Sequence, residues 1–252
     1  MSKVSLRKLT LIFKAEWFLA TLIPFVVSRI LVWLGTEFGG RLLNQEQGPG
    51  LGTSISPVLN FFFHWDALYY FDIMRYGYGA LPVGWPPSLY RAGFFPLYPY
   101  LGKILGGSDW ALLVLSNFFF YGSLVLFYKL AKRNLDEERS SLSVWLIALF
   151  PWSIFFSYPY TESLFLFLTL ASFIFMEKGN WFLAALFSGA TAMTRFGGII
   201  LSLPLLSQFW QKPRRLIILV AAVSPVIGLV LVGLIEMHQM GDPIGFYHAE
   251  VA

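Results

Sequence analysis

The residues best suited to chemistry stand in the run HWDALYYFDIMRYGYG, from His64 to Gly79. Asp66 sits there among Trp65, Tyr69 and Tyr70, with few cations nearby in sequence. A carboxylate in aromatic surroundings gains proton affinity and can serve as a general base. The alternative is a solvated interfacial carboxylate or a helix cap. Asp72 lies three residues before Arg75, a spacing that predicts a surface ion pair. Arg29 and Arg195 are guanidinium groups within or beside apolar segments. Such side chains either snorkel to lipid headgroups or bind a lipid phosphate, for which the guanidinium fork is the matching shape. Glu162 opens an apolar segment, where a helix start favours negative charge in any case. His64, His238 and His248 are too scattered for metal-ligand spacing, and the absence of cysteine removes disulfide and thiolate chemistry.

The elements that must position these residues are apolar helices. The chain of 252 residues is 57% hydrophobic and 13% charged, with a mean hydropathy of +0.65. Soluble domains carry about 25% charged residues, so the composition predicts an all-α, polytopic membrane protein. The net charge of +4 is no nucleic-acid signal, because Lys and Arg fall in short clusters between apolar segments. Segments near the roughly 20 residues needed to cross hydrocarbon predict about seven spans. They run from about Trp17 to Leu34, Trp110 to Leu130, Leu142 to Phe156 with a kink at Pro151, and Leu164 to Met176. Two short ones follow from Trp181 to Trp210, on either side of TRFGG at 194–198, and the last runs from Leu216 to Ile235. The first apolar stretch is long and lacks a small-residue cleavage site, so it reads as a retained helix rather than a signal peptide.

Residues 36–109 form a large, partly helical loop with an interfacial helix over 61–76. At helical spacing Phe62, Asp66, Tyr69, Tyr70 and Ile73 share one side of it. Twelve Lys and Arg fall on the side of the N-terminus and six on or near the other, which predicts a cytoplasmic N-terminus and an external loop. HWDALYY, FFPLYP, YPYTES, TRFGG and the GDP of 241–243 then all share the non-cytoplasmic face. Taken singly, FFPLYP could be an aromatic anchor at headgroup level and GDP a turn. Convergence from five positions predicts one composite site around a cavity.

Several motifs, in this order, resemble the PIG-V-type mannosyltransferases, the family of GPI mannosyltransferase II and its prokaryotic relatives within the GT-C class. They are SR at 28–29, WDA at 65–67, GY at 77–78, FFPLYP at 94–99, YTESLF at 160–165, TR at 194–195 with Gly197, and GDP at 241–243. Together they cover most of the chain, and WD with FFPLYP is the most specific part. The resemblance implies a GT-C-like fold, a catalytic Asp in the first external loop and a polyprenyl- or dolichyl-phosphate sugar as donor. The acceptor would be a glycan or glycolipid, and the location the bacterial plasma membrane or the endoplasmic reticulum. It implies Asp66 as the catalytic base, with Arg29, Trp65, Tyr69, Phe95, Tyr98, Tyr160, Glu162, Arg195 and Asp242 contacting substrate. Family members continue beyond GDP with further spans, so the single domain 1–252 is expected to be C-terminally short. Asp66 and Asp72 do not form the D-x-D pair of some GT-C relatives, so no metal or other cofactor is expected.

A site facing away from the cytoplasm, where nucleotide sugars are made, agrees with a lipid carrier and with a cation near membrane depth. The competing expectation is a non-catalytic transporter, flippase or scaffold subunit for lipid-linked saccharides. A transporter should keep its charges near the midplane, whereas these gather at one face.

Overall fold

A computed structural model describes residues 16–42, 57–79, 88–211 and 216–251, and every described element is helical. Residues 1–15 and 212–215 with their Lys and Arg, 43–56 and 80–87, which belong to the expected loop 36–109, and Ala252 lie outside the described residues.

Three helices are long and apolar enough to cross a membrane: α1 (Glu16–Leu42), α5 (Asp109–Ala131) and α10 (Leu216–Met240). Between them stand α6 (Glu137–Leu149), α7 (Glu162–Glu177), α8 (Trp181–Ala192) and α9 (Ser202–Gln211). The first helix overruns its expected end near Leu34 and reaches Leu42. Its 27 residues span about 40 Å at the α-helical rise.

Along with apolar clusters such as Phe120, Leu124 and Val144, the bundle buries small polar residues where its helices meet and turns large apolar ones outward. On α1, Thr21, Ser28, Thr36 and Gly40 are buried, while Ile23, Ile30, Leu34 and Phe38 are exposed. Ser116 and Ser123 on α5, Ser163 and Ser172 on α7, and Ser188 and Thr191 on α8 repeat the pattern. Small residues let backbones approach, and their hydroxyls bond locally; in lipid that is what holds helices together. The tightest case joins α8 to α10. There the Ser188 and Ser224 hydroxyls lie 2.8 Å apart, and a Cβ on Gly228 would collide with the Gly189 carbonyl oxygen.

Two expected helices are broken. The segment 142–156 is not one kinked span: α6 stops at Leu149, Phe150 turns extended, and Pro151–Phe156 forms a 3-10 helix. Proline cannot donate its missing N–H to the turn before it. The interfacial helix 61–76 is likewise a 3-10 turn, Pro57–Phe62, followed by α2 (Asp66–Tyr76), with Trp65 at a φ of 49° between them. The break at TRFGG is present: α8 ends at Ala192 and a 3-10 turn, Phe196–Leu201, leads into α9.

The loop folds over these breaks through α2, α3 (Ser88–Ala92) and α4 (Leu97–Ile104). Its core is aromatic: Phe62, Phe71, Tyr70, Tyr98, Tyr158 and Tyr160 pack with Leu112 and Leu164. A last helix, α11 (Gly245–Val251), lies against α3.

The Gly228 contact sets a test of this packing. Gly228→Leu should lower the stability of the detergent-solubilised protein by about 1–3 kcal/mol or more, read as thermal unfolding. Gly35→Leu, where a Cβ meets nothing within 4 Å, should not lower it, and the better helix propensity of leucine should raise it by up to about 1 kcal/mol.

Candidate functional site

Where α2 begins, the backbone makes an unusual turn. Trp65 adopts a positive φ, strained for a bulky residue. The Tyr160 hydroxyl donates to the His64 carbonyl at 3.0 Å and fixes the approach to it. The turn sends neighbouring side chains into different spaces. Asp66 faces a cavity of about 830 Å³. Trp65, 66% exposed, faces a separate aromatic groove of about 260 Å³ with Trp152, Phe155 and Tyr158.

The larger cavity is assembled from four segments. The α2 helix supplies Asp66, Tyr69 and Tyr70; the turn after α3 supplies Phe94 and Phe95; the break after α8 supplies Thr194, Arg195 and Phe196; α11 supplies Phe246, Tyr247 and Glu250. Ring contacts make its walls. Tyr69 stacks on Phe94 at 4.6 Å and 8°, and Phe246 packs edge-on to Phe95 at 5.6 Å and stacks with Phe196 at 6.2 Å. Hydrogen bonds fasten the segments: Leu97 N–H donates to the Met193 carbonyl at 3.2 Å, and the Tyr70 and Thr161 hydroxyls meet at 3.2 Å.

Its charges are few. Arg195 Nη2 lies 2.7 Å from Glu162 Oε1, with side chains 43% and 24% exposed. Burial pushes the Asp66 carboxyl above its ordinary range, while the Arg195 charge and its own backbone N–H pull it back. A base held by opposing influences, with a cation nearby and planar apolar walls, can take a proton beside an anionic group that the cation binds.

Of the residues expected at the site, Asp66, Tyr69, Phe95 and Arg195 line this cavity. Glu162 stands behind Arg195 as its partner, and Tyr160 is buried beneath, bonded to His64. Four others sit elsewhere. Trp65 points into the neighbouring groove. Tyr98 is a core residue, its hydroxyl donating to the Leu112 carbonyl at 2.8 Å beside Ser116 Oγ at 2.7 Å. Arg29 serves the broken segment after α6: it donates to the Ser153 carbonyl at 3.2 Å and Ser157 Oγ at 2.5 Å, over the Phe120 ring at 4.4 Å. Asp242 stays outside the cavity lining; its bond to His248 Nδ1 at 2.7 Å holds its carboxyl below the usual range, helped by Ile244 N–H. Turn chemistry is the alternative the sequence leaves open for GDP, and Asp242 fits it.

The expected surface pair of Asp72 and Arg75 is absent. Arg75 is exposed and lies over the Phe71 ring at 5.1 Å. Asp72 is buried, and Arg91 is the cation whose charge reaches it. Arg91, also buried, donates to the carbonyls of Gly77, Tyr78 and Gly79. Helical spacing brings Arg75 within reach of Asp72, but the helix turns Asp72 into the core.

Sequence reasoning also misses Tyr90, Phe246, Tyr247 and Glu250 on the cavity wall, and Glu236. That buried carboxylate accepts from Phe246 N–H at 3.0 Å and holds α11 against the cavity. The only sequence signal for α11 is its place directly after GDP. Among the described residues, no three His, Cys, Asp or Glu side chains gather to hold a metal.

Burial pushes the Asp72 carboxyl up to about 7, against the Arg91 charge. A carboxyl raised in the fold favours the folded state below its unfolded value, near 4. That advantage fades as pH rises through about 7. Thermal unfolding of the unmodified protein should therefore shift down between pH 5 and 8. Asp72→Asn should recover much of that fall, up to about 3 kcal/mol over this range, leaving a flatter profile.

Comparison with protein-family models, with curated proteins and with solved structures finds no match to this chain.

Proposed function

We propose that this chain is a membrane glycosyltransferase. It moves a hexose, mannose being the first candidate, from a polyprenyl-phosphate carrier to an acceptor hydroxyl on the non-cytoplasmic face. The observation that carries the reading is the meeting of Asp66 and Arg195 in one aromatic-walled cavity. Resemblance to the PIG-V-type family suggests the donor and the sugar; the carboxylate and guanidinium in one cavity support the roles of base and phosphate anchor.

The step balances with these groups alone. The acceptor oxygen attacks the anomeric carbon on the face opposite the phosphate, and its proton passes to an Asp66 carboxylate oxygen. The bond from the anomeric carbon to the phosphate oxygen breaks, and its electron pair leaves with the lipid phosphate. Arg195 holds the charge that develops there. One displacement inverts the configuration and needs no second carboxylate as nucleophile. Tyr69, Phe94 and Phe95 offer ring faces against which a sugar can lie. Arg29, away from the cavity within a membrane-length helix, is the one feature that fits a transporter or flippase of lipid-linked sugars instead, since charges inside spans mark transport pathways.

Transfer of labelled hexose from synthetic polyprenyl-phosphate donors, in membranes carrying the protein, tests the reading. Asp66→Asn should lower turnover by about 10²–10⁴-fold, the usual cost of a positioned base. Asp72→Asn should cost far less, because Asp72 does not line the cavity. Full turnover in Asp66→Asn would assign the base elsewhere, with Glu162 the next candidate. Movement of intact lipid-linked sugar across the membrane with no transfer would favour the transporter.

The proposed sidedness has its own test. The chain lacks cysteine, so one placed at Ser88 should react with an impermeant reagent from the non-cytoplasmic side in intact cells or spheroplasts. Labelling that requires access from the cytoplasmic side would reverse the orientation.

A further inference from the structure

Arg195, the proposed phosphate anchor, already has an anion. Glu162 Oε1 holds its Nη2 at 2.7 Å, and Glu162 opens α7, where a helix start favours its charge. The pair is lopsided. Arg195 shows 43% of its side chain and lines the cavity, whereas Glu162 stands behind it at 24% and outside the lining. Glu162 Oε2 is buried without a hydrogen-bond partner. An anionic ligand entering the cavity reaches the exposed side of the guanidinium and adds a second negative charge next to Glu162.

We propose that Glu162 is the resident counter-ion of Arg195, a positioning residue that a phosphate diester must displace, so that binding the diester takes up a proton at Glu162. This rests on the reading of Arg195 as the phosphate anchor. The groups facing Glu162 permit the exchange. Arg195 comes from the break after α8, Asp66 and Tyr70 from α2, Tyr98 from α4 and Tyr160 from its own approach segment. Arg195 is the only cation among them. Once the phosphate shares it, Glu162 is a largely buried carboxylate facing Asp66 and neutral hydroxyls, and such a group neutralises by binding a proton. The arrangement keeps the empty cavity from holding an unpaired cation. It also makes diester affinity fall as pH rises, because the proton needed for release becomes scarce.

Dihexyl phosphate, a diester that keeps one negative charge throughout, is titrated into the purified full chain by calorimetry in buffers of different ionisation enthalpy. Unmodified protein should take up part of a proton, up to one, per diester bound, and its affinity should weaken from pH 6 to 8. E162Q should bind about tenfold tighter, on the scale of one partly buried ion pair, with no proton uptake and a flat pH profile. R195A should lose binding. Arg195-dependent binding without proton uptake, unchanged in E162Q, overturns the role of Glu162 and leaves the anchor standing. Binding that ignores R195A, or none in either the unmodified protein or E162Q, overturns the anchor and the counter-ion together. If E162Q does not survive purification, Asp66→Asn decides: proton uptake that persists in it supports Glu162, and uptake lost in it assigns the proton to Asp66 and overturns the role of Glu162.

Discussion

A carbonyl released where a helix breaks must find a donor, and in apolar surroundings water does not supply one. This chain breaks its helices at 63–65, 150–161 and 193–195; the first lies in the loop itself, and hydrogen bonds tie the loop to the other two. The carbonyls at the breaks are answered from elsewhere in sequence. His64 receives the Tyr160 hydroxyl, Ser153 the Arg29 guanidinium, Phe156 the Ser163 hydroxyl, and Met193 the Leu97 N–H. These bonds join segments up to 124 positions apart. Two of them, Tyr160 to His64 and Leu97 to Met193, tie the described part of the loop to the bundle. The cavity lies where the irregular backbone is, since only there do side chains from several segments point to one place.

The same constraint assigns the buried cations. Arg91 grips three consecutive carbonyls, Gly77 to Gly79, and holds Tyr78, whose hydroxyl donates to the Phe94 carbonyl at 2.5 Å. Phe94 in turn carries the stack with Tyr69. A guanidinium that shows nothing to the cavity thus sets the position of its wall. Arg29 does parallel work at the Pro151 break. Of the three arginines near apolar segments, Arg195 alone keeps a large exposed side toward a cavity, and the proposed chemistry is given to it for that reason.

How far the sequence reaches can be read from individual residues. The all-helical character follows from long apolar segments, and the break at TRFGG from two stretches too short to cross on their own. Pro151 announces a discontinuity, but its depth, a stop followed by a 3-10 turn, depends on donors 124 and 128 positions away that no local pattern encodes. The neighbourhood of Asp66 and Arg195 is legible because both stand in polar motifs flanked by apolar segments. Asp72 misleads because helical spacing offers Arg75 as a partner while the fold turns it inward to Arg91. The α11 wall is invisible because seven residues after a turn carry no periodic signal, and its anchor, Glu236, lies within an apolar helix. Trp65 and Asp66 read as one motif, yet the structure divides them between two grooves.

That division rests on the φ of Trp65. An aromatic residue held at 49° costs on the order of 1–3 kcal/mol, and the turn persists because its surroundings over-determine it. Tyr160 bonds the preceding carbonyl, Phe63 packs on Phe71 at 5.3 Å, and the hydrogen bonds of Ala67 and Leu68 N–H to the carbonyls of His64 and Trp65 close the first turn. With an ordinary helical φ, the helix would continue backward from Asp66 and carry Trp65 about 100° around its axis. The relation of Asp66 to Arg195 would then be one accessible arrangement among several. The strain fixes a single one: the carboxylate starts the helix, faces the cavity and feels the arginine. A general base must stand within hydrogen-bond reach of the proton it takes, and a misplacement of about 1 Å can cost about 10²-fold in rate. A rigid, strained start to α2 serves the proposed role of Asp66 better than a relaxed one.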